Sequence, residues 1–290
     1  MVLLLSKAAL DLDLVVRSHG WYDLPPFAWD EGKKRLSFVA MVGGEPATIT
    51  VSQTARGLTT RSDAADKAAI ARVVRRVLDL DADLSEFHEL CAERAADGFG
   101  WIARRGAGRI LRAPTLFEDA VKVLATTNCT WALTRVMVRN LVGIHGRGGA
   151  FPDAAFLAGV PEERLKSEGK LGYRAPYLAR FAEAVASGRL KLERWEDPER
   201  DSDEVVKEIR AVPGFGPYAA ETLSRLLGRH DRLGLDSWSR KKVAALRFRG
   251  RPVKDARVAK FYGPFGRFAG LAFWLDVTRE WHAGYDKLWP

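Results

Sequence analysis

The stretch that most limits how this 290-residue chain can fold is Val212-Pro213-Gly214-Phe215-Gly216-Pro217. A helix cannot run through it, because the two prolines lack an N–H and the two glycines favour turn conformations. Before it, Val205, Val206, Ile209 and Val212 recur at helical spacing, with Ser202 or Asp203 placed to cap the start. After it, Pro217 suits a first helical turn and Ala220, Leu223, Leu226 and Leu227 repeat at helical spacing until Gly228. The pattern predicts helix, tight hairpin, helix. The second helix then starts with free backbone N–H groups near Gly214, Gly216 and Tyr218, where an anion such as a phosphodiester can bind. An ordinary core turn would use the same residues, so the hairpin alone does not decide function.

The residues downstream narrow the choice. Val212, Pro213-Gly214-Phe215-Gly216, a helix from Ala219 to Leu227 and then Gly234-Leu235-Asp236 together resemble a known signature. It is the helix–hairpin–helix plus Gly/Pro-rich loop and Asp of base-excision DNA glycosylases. The resemblance covers roughly residues 112–274. Lys170-Leu171-Gly172-Tyr173-Arg174-Ala175-Pro176-Tyr177 is similar to a segment of 8-oxoguanine glycosylases, and residues 262–270 resemble their late helix beside the base pocket. A sheet followed by helices in the N-terminal half is similar to bacterial 3-methyladenine DNA glycosylase II.

Hydropathy patterning supports an α+β chain. Leu36 to Val42 and Thr48 to Val51 flank Gly43-Gly44 as a hairpin, with Pro46 toward an edge, and residues from Leu10 to Val51 read as strands. Trp21, Phe27 and Trp29 are expected to cover the sheet. Ser62 or Asp63 is placed to cap a helix through Ile70, Val73, Val74 and Val77, another helix spans Leu84 to Ala95, and Asp97 to Gly108 reads as a linker. From Thr115 the pattern is helical, broken at Thr126 to Thr130. The expected organisation is an N-terminal α/β subdomain over residues 1–110 and an all-α glycosylase domain over 111–290.

A net charge of +9 suits a polyanionic partner, and 47% apolar with 29% charged residues is the balance of a soluble globular chain. Two cysteines, Cys91 and Cys129, are too few for a disulfide framework, and free thiols are expected. Residues 1–16 are apolar but interrupted by Lys7, Asp11 and Asp13, and read as neither a signal peptide nor a membrane span. A cytoplasmic protein, nucleoid-associated if bacterial, is expected, and a monomer.

The resemblance implies the chemistry. Breaking an N-glycosidic bond leaves an oxocarbenium-like sugar, which an ionised carboxylate stabilises while orienting water. Asp236 matches that carboxylate, and it is also a good cap for a helix starting at Ser237. Relatives that nick the strand carry a lysine where this chain has Tyr218, and a phenol cannot form the Schiff base. Base removal by water without strand cleavage is therefore expected, with Tyr218 lying against the extruded base. Asn128 matches the asparagine that enters the duplex in 8-oxoguanine glycosylases. Trp131 and Phe265 are candidate pocket walls, although core packing competes for Trp131, and such walls would favour a cationic alkylated purine. Gly214, Gly216, Arg240, Lys241 and Lys242 are candidate DNA contacts, within a basic stretch that runs through Arg247, Arg249, Arg251, Lys254 and Arg257. The histidines lack metal-ligand spacing. Some relatives hold an iron–sulfur cluster on four late cysteines, which this chain lacks, and the resemblance leaves room for a monovalent cation at the hairpin. The expected partner is double-stranded DNA with a damaged base, an alkylated purine first and 8-oxoguanine second. A non-catalytic binder of damaged DNA is the rival outside enzymes.

Overall fold

The computed structural model describes residues 2–4, 10–54 and 57–282, so Lys7 lies outside the described residues. The expected hairpin is present. Arg35–Val42 and Glu45–Thr54 pair antiparallel, with Val42 opposite Glu45 and Leu36 opposite Val51. Leu36, Phe38, Ala40 and Val42 point inward in strict alternation. Gly43 and Gly44 adopt φ of 61° and 87°, as a two-residue turn requires. Three further antiparallel strands complete the sheet, in the spatial order Val2–Leu4, Gly57–Ser62, Glu45–Thr54, Arg35–Val42, Ala28–Asp30. Gly57–Ser62 escapes the sequence reading because polar Thr59 to Ser62 obscure its alternation. Pro46 lies on the middle strand and not at an edge. Pairing with Gly57–Ser62 begins only at Ile49, so the missing N–H breaks no ladder there.

Two expectations for this half are corrected. Leu12–Arg17 is a helix, not a strand, because the Asp11 carboxylate accepts from the N–H groups of Asp13 and Leu14, and Asp13 pairs with Arg17 one turn on at 3.1 Å. The supposed linker contains the helix Gly100–Arg105, with Phe99, Trp101 and Ile102 buried. Its glycines mark tight turns, Gly98, Gly106 and Gly108 having φ of 88°, 63° and 133°. The cap of Lys67–Val77 is Asp66, not Ser62 or Asp63, because the sheet retains Ser62.

All remaining described elements are helical, giving the α+β class. Leu116–Thr126 runs through the middle, with ten of its eleven residues buried. Asp119 on this helix accepts from Trp21 Nε1 at 2.7 Å and from Ala113 N at 2.8 Å, which ties the aromatic loop before the sheet to the helical half. One turn away, buried Lys122 donates to buried Glu118 at 2.6 Å, and its ammonium lies 4.8 Å from the Phe27 ring centre. Trp131–His145 follows after the break at residues 127–130. Ala154–Ala158, Glu162–Ser167, Ala175–Ala186, Glu193–Glu196, Ser202–Ala211, Pro217–Leu226, Ser237–Arg247, Asp255–Tyr262 and Ala269–Val277 are the further α-helices of this half. Asp201 caps Ser202–Ala211, one residue earlier than Ser202 and two earlier than Asp203. Among the described residues no helix is long and apolar enough to cross a membrane.

Lys122→Met is expected to cost about 3–5 kcal/mol, because Glu118 would remain buried without its cation. The paired change Glu118→Leu with Lys122→Met should recover most of that loss. Urea unfolding midpoints of the two variants check both statements.

Candidate active site

The hairpin forms as its sequence dictates. Ser202–Ala211 ends at Val212, whose carbonyl accepts from Phe215 N at 3.0 Å, and Pro217 opens the second helix. Gly214 and Gly216 serve different needs. Gly214 has φ of 94°, and a Cβ there would sit 2.9 Å from Tyr177 Cβ and Cγ. Gly216 has an ordinary extended backbone, with nothing within 4 Å of where its Cβ would be. The first glycine is required by the fold. The second leaves open space at the helix N-terminus, where the backbone can approach a ligand.

These residues border an open cleft of about 840 Å³. One wall is the hairpin and the start of its second helix. Thr126 to Cys129 with Tyr173 and Tyr177 form a second part of the lining, and Leu235, Asp236, Ser237 and Arg240 a third. Asp236 caps Ser237–Arg247: its Oδ1 accepts from Ser239 N at 2.7 Å, and Ser239 Oγ accepts from Asp236 N at 2.9 Å. No other hydrogen bond reaches its carboxylate among the described residues, so the second oxygen is uncommitted, and Asp236 lines the cleft. Tyr218 stands close enough for burial, and the Asp236 charge, to raise its phenol pKa.

Asn128 also lines the cleft, exposed, with φ of 45° and its amide 3.5 Å from Tyr173 Oη. The turn that presents it is braced from below. Buried Arg174 donates to Thr127 O and, at 3.3 Å, to Thr127 Oγ1, while its guanidinium lies 4.4 Å from the Tyr173 ring centre. Tyr173 Oη adds a bond to Thr127 O at 3.3 Å. The Gly-Tyr-Arg segment thus holds the Asn128 turn in place.

The structure brings Asp236, Tyr218, Gly214, Gly216, Asn128 and Arg240 to one cleft and leaves two proposed walls outside it. Trp131 is exposed at the start of its helix; its indole crosses Gly20 and donates to Asp23 Oδ2 at 2.7 Å. Phe265 is fully buried, 4.7 Å from the Phe99 ring centre, because the turn Gly263–Phe268 points its apolar side chains into the core. The aromatic faces of the cleft are Tyr173, Tyr177 and Tyr218. Among the basic residues, Lys241 is exposed, and Arg240 makes a two-pronged pair with Asp255 at 2.9 and 2.8 Å. Lys242 pairs with Glu280. Arg247 is a core residue, not a DNA contact, since it forks onto buried Asp276 with two bonds of 2.6 Å.

Two residues that sequence reasoning passed over position the carboxylate. Glu221 Oε2 accepts from Gly234 N at 2.8 Å, and Arg225 Nη2 donates to Leu233 O at 2.7 Å. Both come from the second hairpin helix, and helical spacing from Tyr218 was the available signal. Among the described residues no three His, Cys, Asp or Glu side chains gather as a metal site.

A helix–hairpin–helix beside a cleft, an aspartate capping the next helix, and an N-terminal antiparallel sheet belong to a fold that this chain shares with solved structures of DNA glycosylases. No family model and no curated sequence matches the chain. Solved structures do. The 3-methyladenine DNA glycosylase from Archaeoglobus fulgidus is 18% identical with a TM-score of 0.79, covering 98% of this chain and 100% of that one. MBOgg1, in complex with a low-affinity DNA ligand, is 20% identical with a TM-score of 0.76, covering 96% and 94%. The 8-oxoguanine glycosylase/lyase of Clostridium acetobutylicum is 18% identical with a TM-score of 0.64, covering 92% and 93%. At such identities the likeness is one of fold.

The two glycines separate by substitution. Gly214→Ala is expected to lose about 2–4 kcal/mol from the strained φ and the clash with Tyr177, and Gly216→Ala to stay within about 1 kcal/mol. Thermal melts of both variants test the contrast.

Proposed function

We propose that this protein is a monofunctional DNA glycosylase. It would extrude a damaged purine from duplex DNA and hydrolyse its N-glycosidic bond without cutting the strand. The observation that carries this reading is the Asp236 carboxylate, fixed by its capping box with one oxygen free, in the cleft that also holds the hairpin N-terminus. The free N–H groups there would hold a phosphate of the damaged strand, and Asp236 would stabilise the cationic sugar and take a proton from the attacking water. Extrusion costs a few kcal/mol, and Asn128 on its braced turn would fill the gap left in the stack.

The cleft lining supports the reading without lyase chemistry. Tyr218 occupies the nucleophile's position, and no lysine borders the cleft among the described residues. Without an amine there is no Schiff base. The reaction as proposed needs no cofactor. A monovalent cation at the hairpin would rest on backbone carbonyls alone, as residues 212–217 contain no carboxylate. We take the enzyme to act as a cytoplasmic monomer on the chromosome, with Lys241 and Arg240 reaching phosphates. For the base, an alkylated purine is supported by the aromatic faces of Tyr177 and Tyr218, and 8-oxoguanine by the Tyr173 and Arg174 brace under Asn128.

Asp236→Asn keeps the capping geometry and removes the charge, so it should still bind duplex DNA while base release falls by about 10²–10³-fold. Release is read as strand breaks that form only after alkali. Breaks without alkali in the wild type would refute the monofunctional reading. Unchanged lesion binding with no release by wild-type protein would leave a binding protein instead. Gly216→Ala should weaken duplex binding while melting normally, by placing a methyl between the helix N-terminus and the phosphate.

A further inference from the structure

The second hairpin helix carries a polar row with no part in the steps above. Tyr218, Thr222 and Arg225 fall at i, i+4 and i+7, on one face of Pro217–Leu226. Tyr218 lines the cleft, and the row runs inward from it: Thr222 is buried, and Arg225 is 1% exposed. Both flank the turn before Asp236, since a Cβ on Gly234 would lie 2.8 Å from Arg225 Nη2 and 3.6 Å from Thr222 Oγ1. The Arg225 guanidinium lies 4.7 Å from the Trp274 ring centre, and the buried His19 ring approaches the same indole at 5.7 Å.

Two buried polar atoms here have no hydrogen-bond partner among the described residues, Arg225 Nε and His19 Nδ1, while Thr222 is within hydrogen-bonding reach of the Tyr218 hydroxyl. Buried polar atoms are nearly always satisfied, so two orphans on neighbouring side chains, one of them on the residue that grips the loop before Asp236, mark a place where a polar molecule completes the structure. The site is also charged. Arg225 forms no ion pair within 4.0 Å among the described residues; the carboxylates whose fields reach it are those of Glu221 and Asp236. Burial lowers its pKa to about 10, which leaves it protonated at neutral pH. His19 is neutral there, since burial first and the Arg225 charge second bring its pKa down to about 3.

We propose that Thr222, Arg225 and His19 are the polar end of the base pocket, that they read the acceptor edge of the extruded purine, and that the Arg225 charge selects electrically neutral lesions over those with a fixed positive charge. The proposal rests on the glycosylase reading and narrows its substrate. When the glycosidic bond breaks, its electron pair goes to the purine and the water oxygen bonds to the sugar carbon. One water proton passes to Asp236 and from there to the base. A neutral purine is an anion until that proton arrives, and a fixed guanidinium stabilises it. A purine methylated at N3 or N7 departs neutral, gains nothing from Arg225, and meets a like charge on entry. Etheno-alkylated and oxidised purines fit the pocket. The cationic bases expected from aromatic walls do not.

The test is single-turnover base release from duplexes with one ethenoadenine, one 8-oxoguanine or one 7-methylguanine, each rate divided by that of the same duplex without enzyme. Wild-type acceleration should be at least about tenfold greater for a neutral lesion than for 7-methylguanine, Arg225→Met should erase most of that ratio, and Arg225→Lys should keep it. Equal wild-type acceleration of all lesions overturns the proposal, and this comparison needs no variant. An unchanged ratio in Arg225→Met also overturns it, reducing Arg225 to a support for the Leu233 carbonyl. Release without charge preference defeats this inference alone, whereas no release from any duplex defeats the glycosylase reading as well.

Discussion

Two hydrogen bonds from one helix face hold the loop on which the cleft depends. Glu221 and Arg225, one turn apart, grip Gly234 N and Leu233 O, so the backbone two residues before Asp236 is fixed to the second hairpin helix. Asp236 then caps the next helix through a reciprocal pair of bonds with Ser239. Hairpin, loop and Ser237–Arg247 therefore behave as one piece, with the candidate carboxylate at a set distance from the N-terminus of the second hairpin helix. Charged partners make such bonds stronger than neutral ones. Both partners lie on a helix that is buried over most of its length, so neither has to be ordered when a ligand arrives.

The other wall is held by a different device. Leu116–Thr126 is buried along nearly its whole length, and its last carbonyls lead into a four-residue break with one left-handed residue, Asn128. Such a turn would be mobile without Arg174 and Tyr173, which converge on Thr127 from the neighbouring segment. The N-terminal half supports both walls. Trp21 reaches Asp119 on the central helix, Asp23 holds Trp131 at the start of the next, and the Ser18 carbonyl accepts from Trp274 at 2.7 Å beside Arg225. The sheet is remote from the chemistry, but the loop before it fits both sides of the cleft together.

Charge follows the same division between surface and interior. Arg247 and Lys242 belong by sequence to the basic run after Asp236, yet one is bound to Asp276 in the core and the other to Glu280. Arg225 reads in sequence as one more basic residue of an amphipathic helix. The fold makes it a buried cation stacked on an indole. Trp131 and Phe265 lie outside the cleft lining for a related reason: aromatic type says that a side chain buries a large surface, not which surface it meets.

Local chemistry was enough to determine the hairpin. Prolines that cannot continue a helix, a glycine that must take positive φ, and apolar residues at helical spacing act over a few residues and need no distant partner. The same holds for the Gly43-Gly44 turn and for Asp236 as a cap. Tertiary structure decided what depends on side chains far apart in the chain: the helix in place of a linker at residues 100–105, the brace under Asn128, the grip on Leu233 and Gly234, and the burial of Arg225. Periodicity can tell which face of an element turns inward. What that face meets is set by long-range packing, and the stacking of Arg225 on Trp274 is such a meeting.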